Sequence, residues 1–498
     1  MSILLTGHDL TPSSVLRVAR HGESVELAPE ALARVRHCRV FLERNIASGK
    51  VMYGVNTGIG ELSEVVLPPE RIREYQRYLV CSHAAGYGDP LPEEAVRAAW
   101  VSRVNVLLKG HSGCRPEVPL AMVALLNRGV TPVVCERGSV GACGDLSPMA
   151  QAALVLIGEG EAFLRGRRLP AAEALAEAGI APITFEARDG LAAINGSNVI
   201  AGLGSLEVMD AERLLLASES AAAMTLSALN ANMVSYDERL HRARGFPGAV
   251  RSAARIRSLC EGGKLDRPGK KLQDAYALRS TPQVTGAAWD TLEYARRAFE
   301  IELNGVGDNP VFFPDDDGGT VLNGANFQGT PMAFPLEFLG IASTTVAALS
   351  ERRTNRLLNP HLSMGLPAFL TRAAGMFSGL MLVQYTAGAL VCECRVLSHP
   401  AATGSIPAAA DQEDFVSMGM TTALKTRQIL SHAAAVVGIE LLCGAQALDI
   451  LGPEKAGPKL RDLHARIRER VKPLVEDRPL HGDINALAGF VRTHDFGA

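Results

Sequence analysis

Beyond Asn195 the chain consists of long stretches with few internal prolines, and these constrain its fold more than any other feature. The segments 196–232, 283–302, 331–357, 367–396 and 411–450 each read as one long helix. Turns rich in Pro, Gly or Asp divide them, and Pro314-Asp315-Asp316-Asp317-Gly318-Gly319 predicts an exposed turn. Long helices in this number pack with nearly parallel axes into a bundle. Ala and Leu dominate the apolar residues and aromatics are 5%, which favours helices over strands. The expected fold is mainly α, with residues 195–498 forming the central bundle and C-terminal helices. Residues 1–194 form a smaller region of loops and shorter helices.

In that smaller region a strand-like start precedes an amphipathic helix on which Leu32, Val35, Leu42 and Ile46 keep helical spacing, ending at Gly49. Pro68-Pro69 opens a helix running to about Val80. Pro92-Glu93-Glu94 opens another that ends near Lys109-Gly110, and Pro116 to Arg128 forms a third. Gly158 to Pro182 reads as a small peripheral hairpin or loop region. No fixed-period repeat or low-complexity tract is present.

The net charge of −3 leaves no electrostatic footprint for nucleic acid or an anionic membrane. The nine cysteines show neither zinc spacing nor a disulfide framework. The start lacks the pattern of a signal peptide, so a reduced, cytoplasmic protein is expected. Ala373 to Cys392 carries no charge and matches a membrane span in length. It also holds three glycines and several polar residues, so a helix buried on all sides of a bundle is expected there.

Chemistry concentrates at Arg137-Gly-Ser-Val-Gly-Ala-Cys-Gly-Asp-Leu-Ser-Pro148. Three glycines in seven residues permit a tight bend and close approach to the main chain. Bent tightly enough, the Gly144 amide nitrogen reaches the Ala142 carbonyl carbon. Loss of water from the ring, and of the heteroatom from residue 143, leaves an exocyclic methylidene electrophile. Asp145, Ser147 and Pro148 read as the first turn of a helix whose positive end faces that ring. The plainer alternative is a capped tight turn with Cys143 as a small buried residue.

The string resembles the signature of ammonia-lyases and aminomutases whose 4-methylidene-imidazol-5-one (MIO) group forms from Ala-Ser-Gly. Here Cys143 takes the serine's place, and hydrogen sulfide can leave much as water does. The resemblance implies the long-helix bundle of the ammonia-lyase, or fumarase/aspartase-like, type. It also implies an MIO formed from Ala142, Cys143 and Gly144, with no metal and no diffusible cofactor.

Six further motifs follow the same family's order. Tyr53, among Gly54, Asn56 and Gly58, can approach a substrate closely, and a nearby positive field would lower its pKa toward that of a base. The resemblance makes it the base for the substrate's β-proton. Ser82-His83 is the histidine ammonia-lyase form of the pair facing the substrate ring. Asn195 reads either as a helix N-cap or, by resemblance, as a hydrogen-bonding partner of substrate or MIO. In Gln273-Asp-Ala-Tyr276-Ala-Leu-Arg279, Tyr276 and Arg279 are three apart and share a helical face. Arginine pairs bidentately with a carboxylate, and by resemblance Arg279 holds the substrate's, with Tyr276 and Gln273 beside it. Phe327 either walls a pocket or belongs to the core, and the following Gln-Gly-Thr-Pro is closer to the phenylalanine enzymes. Gln412-Glu413-Asp414 is the histidine form, in which Glu413 can pair with an imidazole N–H; its plainer alternative is an acidic helix start.

Together these motifs imply an enzyme similar to histidine ammonia-lyase, converting L-histidine to trans-urocanate. An aminomutase making a β-amino acid, or an inactive helical scaffold, remains the alternative. The resemblance also implies a homotetramer whose active sites take residues from several subunits.

Overall fold

The computed structural model describes residues 2–264, 271–315 and 318–497, so Asp316 and Asp317 of the expected acidic turn lie outside the described residues. The chain is 60% helical, with few strands, and is mainly α as expected. Four of the five long helices lie close to their expected positions, at Asn198–Ala228, Thr281–Leu303, Thr330–Leu358 and Gly419–Leu451. The last begins eight residues later than expected, because Ala409, Ala410 and Asp411 take left-handed angles (φ 51°, 53° and 67°) and turn the chain back on itself.

The uncharged stretch departs most from expectation. Helix begins only at Met381 and ends at Leu397, and Gly375 and Gly379 at φ 102° and 59° interrupt the residues before it. Val383, Ala387, Val391 and Cys394 form its one buried stripe, while Leu382 and Tyr385 are 50% and 62% exposed. The helix is therefore amphipathic within the protomer rather than buried on all sides. Two other helices, Thr330–Leu358 and Gly419–Leu451, are long and apolar enough to cross a membrane, and most of each is buried in the protein.

The chain divides into two compact units. The first comprises Met1–Met209, Ala295–Leu336 and Pro400–Leu424; the second comprises Asp210–Tyr294, Glu337–His399 and Lys425–Ala498. In the first, a helix at Pro12–His21 was not anticipated, although its ends are marked. The Thr11 side chain accepts from the Ser14 amide, Pro12 opens the first turn, and Gly22 closes it at φ 66°. The helix Glu93–Leu107 packs nearly its whole circumference inside the unit, burying Trp100, Arg103 and Asn105 completely. Short strand pairs brace the loops: Ile3–Leu5 runs parallel to Val25–Leu27, and Tyr87–Pro90 pairs antiparallel with Cys135–Arg137. The expected peripheral hairpin is Glu161–Leu164 with Arg167–Pro170, followed by the helix Ala171–Ala178.

In the second unit, Arg353 and Glu440 form a two-pronged buried ion pair at 2.6 and 2.7 Å. Thr225 and Ser350 donate to the same carboxylate, so the buried charge is fully engaged.

Candidate active site

The 137–148 loop leaves the strand Cys135–Arg137 and enters the helix Leu146–Leu154. Gly144 sits at φ 75°, a left-handed angle that other residues adopt at a cost. A Cβ there would lie 2.2 Å from the Gly196 carbonyl carbon. Asp145 N–H donates to Gly196 O at 2.9 Å, and Gly196 N–H to Cys143 O at 3.4 Å. The triplet is thus wedged against the main chain of Asn195-Gly196-Ser197, a closeness only glycine allows. Among the described residues no hydrogen bond engages the Gly144 amide nitrogen, so the atom that must attack Ala142 is not committed elsewhere. With small residues on both sides of Cys143, the triplet fits an MIO-forming loop.

Asp145 begins the following helix, but its side chain does not cap it. It is fully buried, accepting from the Ile200 amide at 2.9 Å and the Ser139 hydroxyl at 3.1 Å. Burial pushes its carboxyl up to about 6.

A second loop closes over the first. Ala408 and Glu413 exchange main-chain hydrogen bonds at 3.0 and 3.1 Å around the three left-handed residues. Further along, Met418 N–H donates to Val140 O at 3.0 Å, and Ser417 N–H to Gly141 O at 3.4 Å. Glu413 therefore lies on a tied hairpin turn, not at a helix start, and its Oε1 accepts the Cys143 thiol at 2.9 Å. Burial first, then this hydrogen bond and the charge of Glu413, push the thiol well above the usual range.

Tyr53 lies on the loop before the short turn Gly60–Leu62, and its hydroxyl oxygen accepts the Gly60 amide at 3.0 Å. The expected lowering of its pKa is not found within the protomer. Burial raises it most, Cys143 and Glu413 add to the rise, and the Gly60 amide and Arg188 oppose it. Cys143 and Glu413 thus share its electrostatic surroundings. His83 ends the helix Ile72–His83 with Nδ1 2.7 Å from Leu79 O. Donation to that carbonyl leaves Nε2 as an acceptor.

Asn195 caps no helix with its side chain. Its Nδ2 donates to Asp308 Oδ1 at 2.9 Å and to Asn309 O at 2.6 Å. Asp308 also receives Arg103 at 2.9 Å and Arg188 at 2.7 Å, and all three charged side chains are wholly buried. Burial lowers the Arg188 pKa while Asp308 raises it. Sequence reading passed over this network. Its one legible sign was a lone arginine in the apolar run Ala98-Ala-Trp-Val-Ser-Arg103-Val-Asn-Val-Leu107. Phe327 is half-buried, and its carbonyl accepts the Ser197 hydroxyl at 2.6 Å.

The first unit thus brings together Tyr53, the triplet Ala142-Cys143-Gly144, Asn195, Phe327 and Glu413. His83 precedes Gly86, against which Gly138 of the same loop packs. Gln273, Tyr276 and Arg279 belong to the second unit. Tyr276–Arg279 is a single helical turn on which the Arg279 guanidinium carbon sits 4.7 Å from the Tyr276 ring centre, so the two share a face as expected. Tyr276 is 72% exposed, and the buried Nε of Arg279 has no hydrogen-bond partner within the protomer.

The pattern of the aromatic amino acid lyases matches residues 10–469. A histidine ammonia-lyase of Symbiobacterium thermophilum is 47% identical, over 100% of this chain and 98% of that protein. One from Caldanaerobacter subterraneus is 44% identical, over 99% and 96%. Among solved structures, a tyrosine aminomutase from Streptomyces globisporus superposes with a TM-score of 0.95 at 37% identity, covering 99% of this chain and 97% of that one. Histidine ammonia-lyase from Trypanosoma cruzi gives 0.93 at 36%, covering 99% and 94%. Matched along nearly its whole length, the chain belongs to the aromatic amino acid lyase family.

Proposed function

We propose that this enzyme is a carbon–nitrogen lyase that eliminates ammonia from L-histidine to give trans-urocanate. The observation carrying the substrate assignment is end-to-end similarity, at 44–47% identity, to histidine ammonia-lyases. His83 and Glu413, one offering a ring-nitrogen acceptor and the other a carboxylate, are suited to an imidazole and have no evident use for a phenyl ring.

An MIO formed from Ala142, Cys143 and Gly144 supplies the electrophile for the substrate's amine. Arg279 anchors the substrate carboxylate through its guanidinium fork, with Tyr276 and Gln273 beside it. Tyr53 Oη, as the phenolate, takes the β-proton, and the Gly60 amide supports the negative charge that this oxygen carries beforehand. Asn195 presents its amide in the orientation set by Asp308, and Phe327 walls the pocket.

The working form in this reading is a cytoplasmic homotetramer with shared active sites. The exposed apolar residues Phe334, Phe338 and Ile341 recur at helical spacing on Thr330–Leu358, and Leu382 and Tyr385 are exposed on Met381–Leu397. Such faces belong against other subunits. The aminomutase structures keep a second outcome in view, return of the amine to the β-carbon. Incubation with L-histidine, with urocanate followed by absorbance and β-histidine by chromatography, tests both. Turnover of phenylalanine or tyrosine with none of histidine would overturn the assignment.

A further inference from the structure

For the methylidene group to form, the sulfur of residue 143 must leave, and one carboxylate is already in contact with that sulfur. We propose that Glu413 is the acid–base group of the chain's own maturation, relaying a proton from Cα of Cys143 to the departing sulfur. This rests on the MIO reading above and adds to it a second task for Glu413.

Three observations carry the proposal. The Sγ–Oε1 distance is 2.9 Å. The contact is held by the Ala408–Glu413 turn and by the Met418–Val140 and Ser417–Gly141 bonds, which fix the two loops together. The Gly144 nitrogen is uncommitted. The environment also keeps the thiol protonated, so sulfur departs as hydrosulfide rather than as a doubly charged sulfide.

The steps balance. The Gly144 nitrogen bonds to the Ala142 carbonyl carbon, and the carbonyl oxygen leaves as water with the amide hydrogens of Gly144 and Cys143. The Cα–H bond of residue 143 then breaks, and its electron pair becomes the Cα–Cβ double bond. The Cβ–Sγ bond breaks with its pair on sulfur. Glu413 takes up the Cα proton and passes it to the hydrosulfide, which departs as hydrogen sulfide, and the carboxylate is left as it began. Sulfur lies two bonds from that Cα, so one carboxyl group can span both atoms. No oxidant or reductant is required.

The test compares freshly expressed parent, Glu413→Gln, Glu413→Asp and Asp411→Asn by intact mass, native thiol alkylation and sulfide release, with circular dichroism to verify folding. The parent and Asp411→Asn should each fall short of the sequence mass by one water and one hydrogen sulfide. Folded Glu413→Gln should keep its sulfur and an alkylatable Cys143, falling short of the sequence mass by at most one water, and should release sulfide about 100-fold more slowly or worse. Maturation of Glu413→Gln at the parent's rate overturns the proposal and leaves the MIO reading standing. A parent at full sequence mass overturns both. Should Glu413→Gln fail to fold, Glu413→Asp decides: slowing by about 10-fold or more supports the relay, and an unchanged rate overturns it.

Discussion

Asn195 donates its side-chain amide to Asp308 at 2.9 Å, across 113 residues of sequence. The polar group beside the Gly144 turn is therefore oriented by a buried carboxylate that also holds Arg103 and Arg188. Replacing Asp308 by Asn leaves two buried guanidinium groups without their anion. The expected loss is about 3–5 kcal/mol of stability, read by urea denaturation, together with a fall in kcat larger than any change in KM. Stability unchanged within experimental error would show that the network does not carry this weight.

Gly144→Ala places a Cβ 2.2 Å from the Gly196 carbonyl carbon at a left-handed angle. The expected cost is about 2–5 kcal/mol from backbone strain and overpacking together. The variant should also keep its full sequence mass, because the nitrogen is moved from its place beside Ala142. A variant as stable as the parent would contradict the close approach.

The pH dependence has a definite sign at Asp145. Its folded pKa of about 6 lies above its unfolded value, so the folded state binds the extra proton. The stabilisation is complete below about pH 4 and is lost as pH rises through about 6. Two units correspond to roughly 3 kcal/mol. The stability of the parent relative to Asp145→Asn should fall by that order between pH 4 and pH 7 in chemical denaturation. A flat difference across this window would remove Asp145 as the cause.

His83→Leu removes a ring whose Nδ1 is tied to Leu79 O and whose Nε2 is left to accept. kcat/KM for histidine should drop by about 100-fold, while any activity on phenylalanine is kept or raised. Equal loss on both substrates would make His83 a structural residue of the helix end.

For the assembly, sedimentation should give four copies per particle, and Phe338→Glu should dissociate it. Tyr53→Phe and Arg279→Ala, each inactive alone, should partly restore activity when refolded together, because intact residues from different subunits can then meet in one site. A fully active monomer would refute this.

Much of this was legible in the sequence, for physical reasons that can be named. Proline-poor apolar stretches placed four long helices, because helix needs only local hydrogen bonds. The uncharged stretch misled, since absence of charge does not distinguish a buried helix from a glycine-broken entry to one; Gly375 and Gly379 were the readable warning. The Pro12–His21 helix had both caps in view, Thr11 and Gly22, but is only ten residues long. The grouping of Tyr53, Cys143 and Glu413 was reached through family resemblance rather than spacing, because 270 residues separate the thiol from its carboxylate. The Arg103–Asp308–Arg188 network escaped because a buried charge looks the same in sequence as a solvated one until its partner is known.

That separation of 270 residues also sets an order of events during synthesis. A ribosome adding about 5–20 residues per second needs roughly 15–50 s to travel from Cys143 to Glu413. Until then the emerging chain carries an ordinary thiol and no neighbouring carboxylate. The reactive group would thus arise only on chains whose later helices have been made and have folded back. Prematurely terminated chains would remain chemically inert, and stalled chains ending before residue 413 should accordingly retain an alkylatable Cys143.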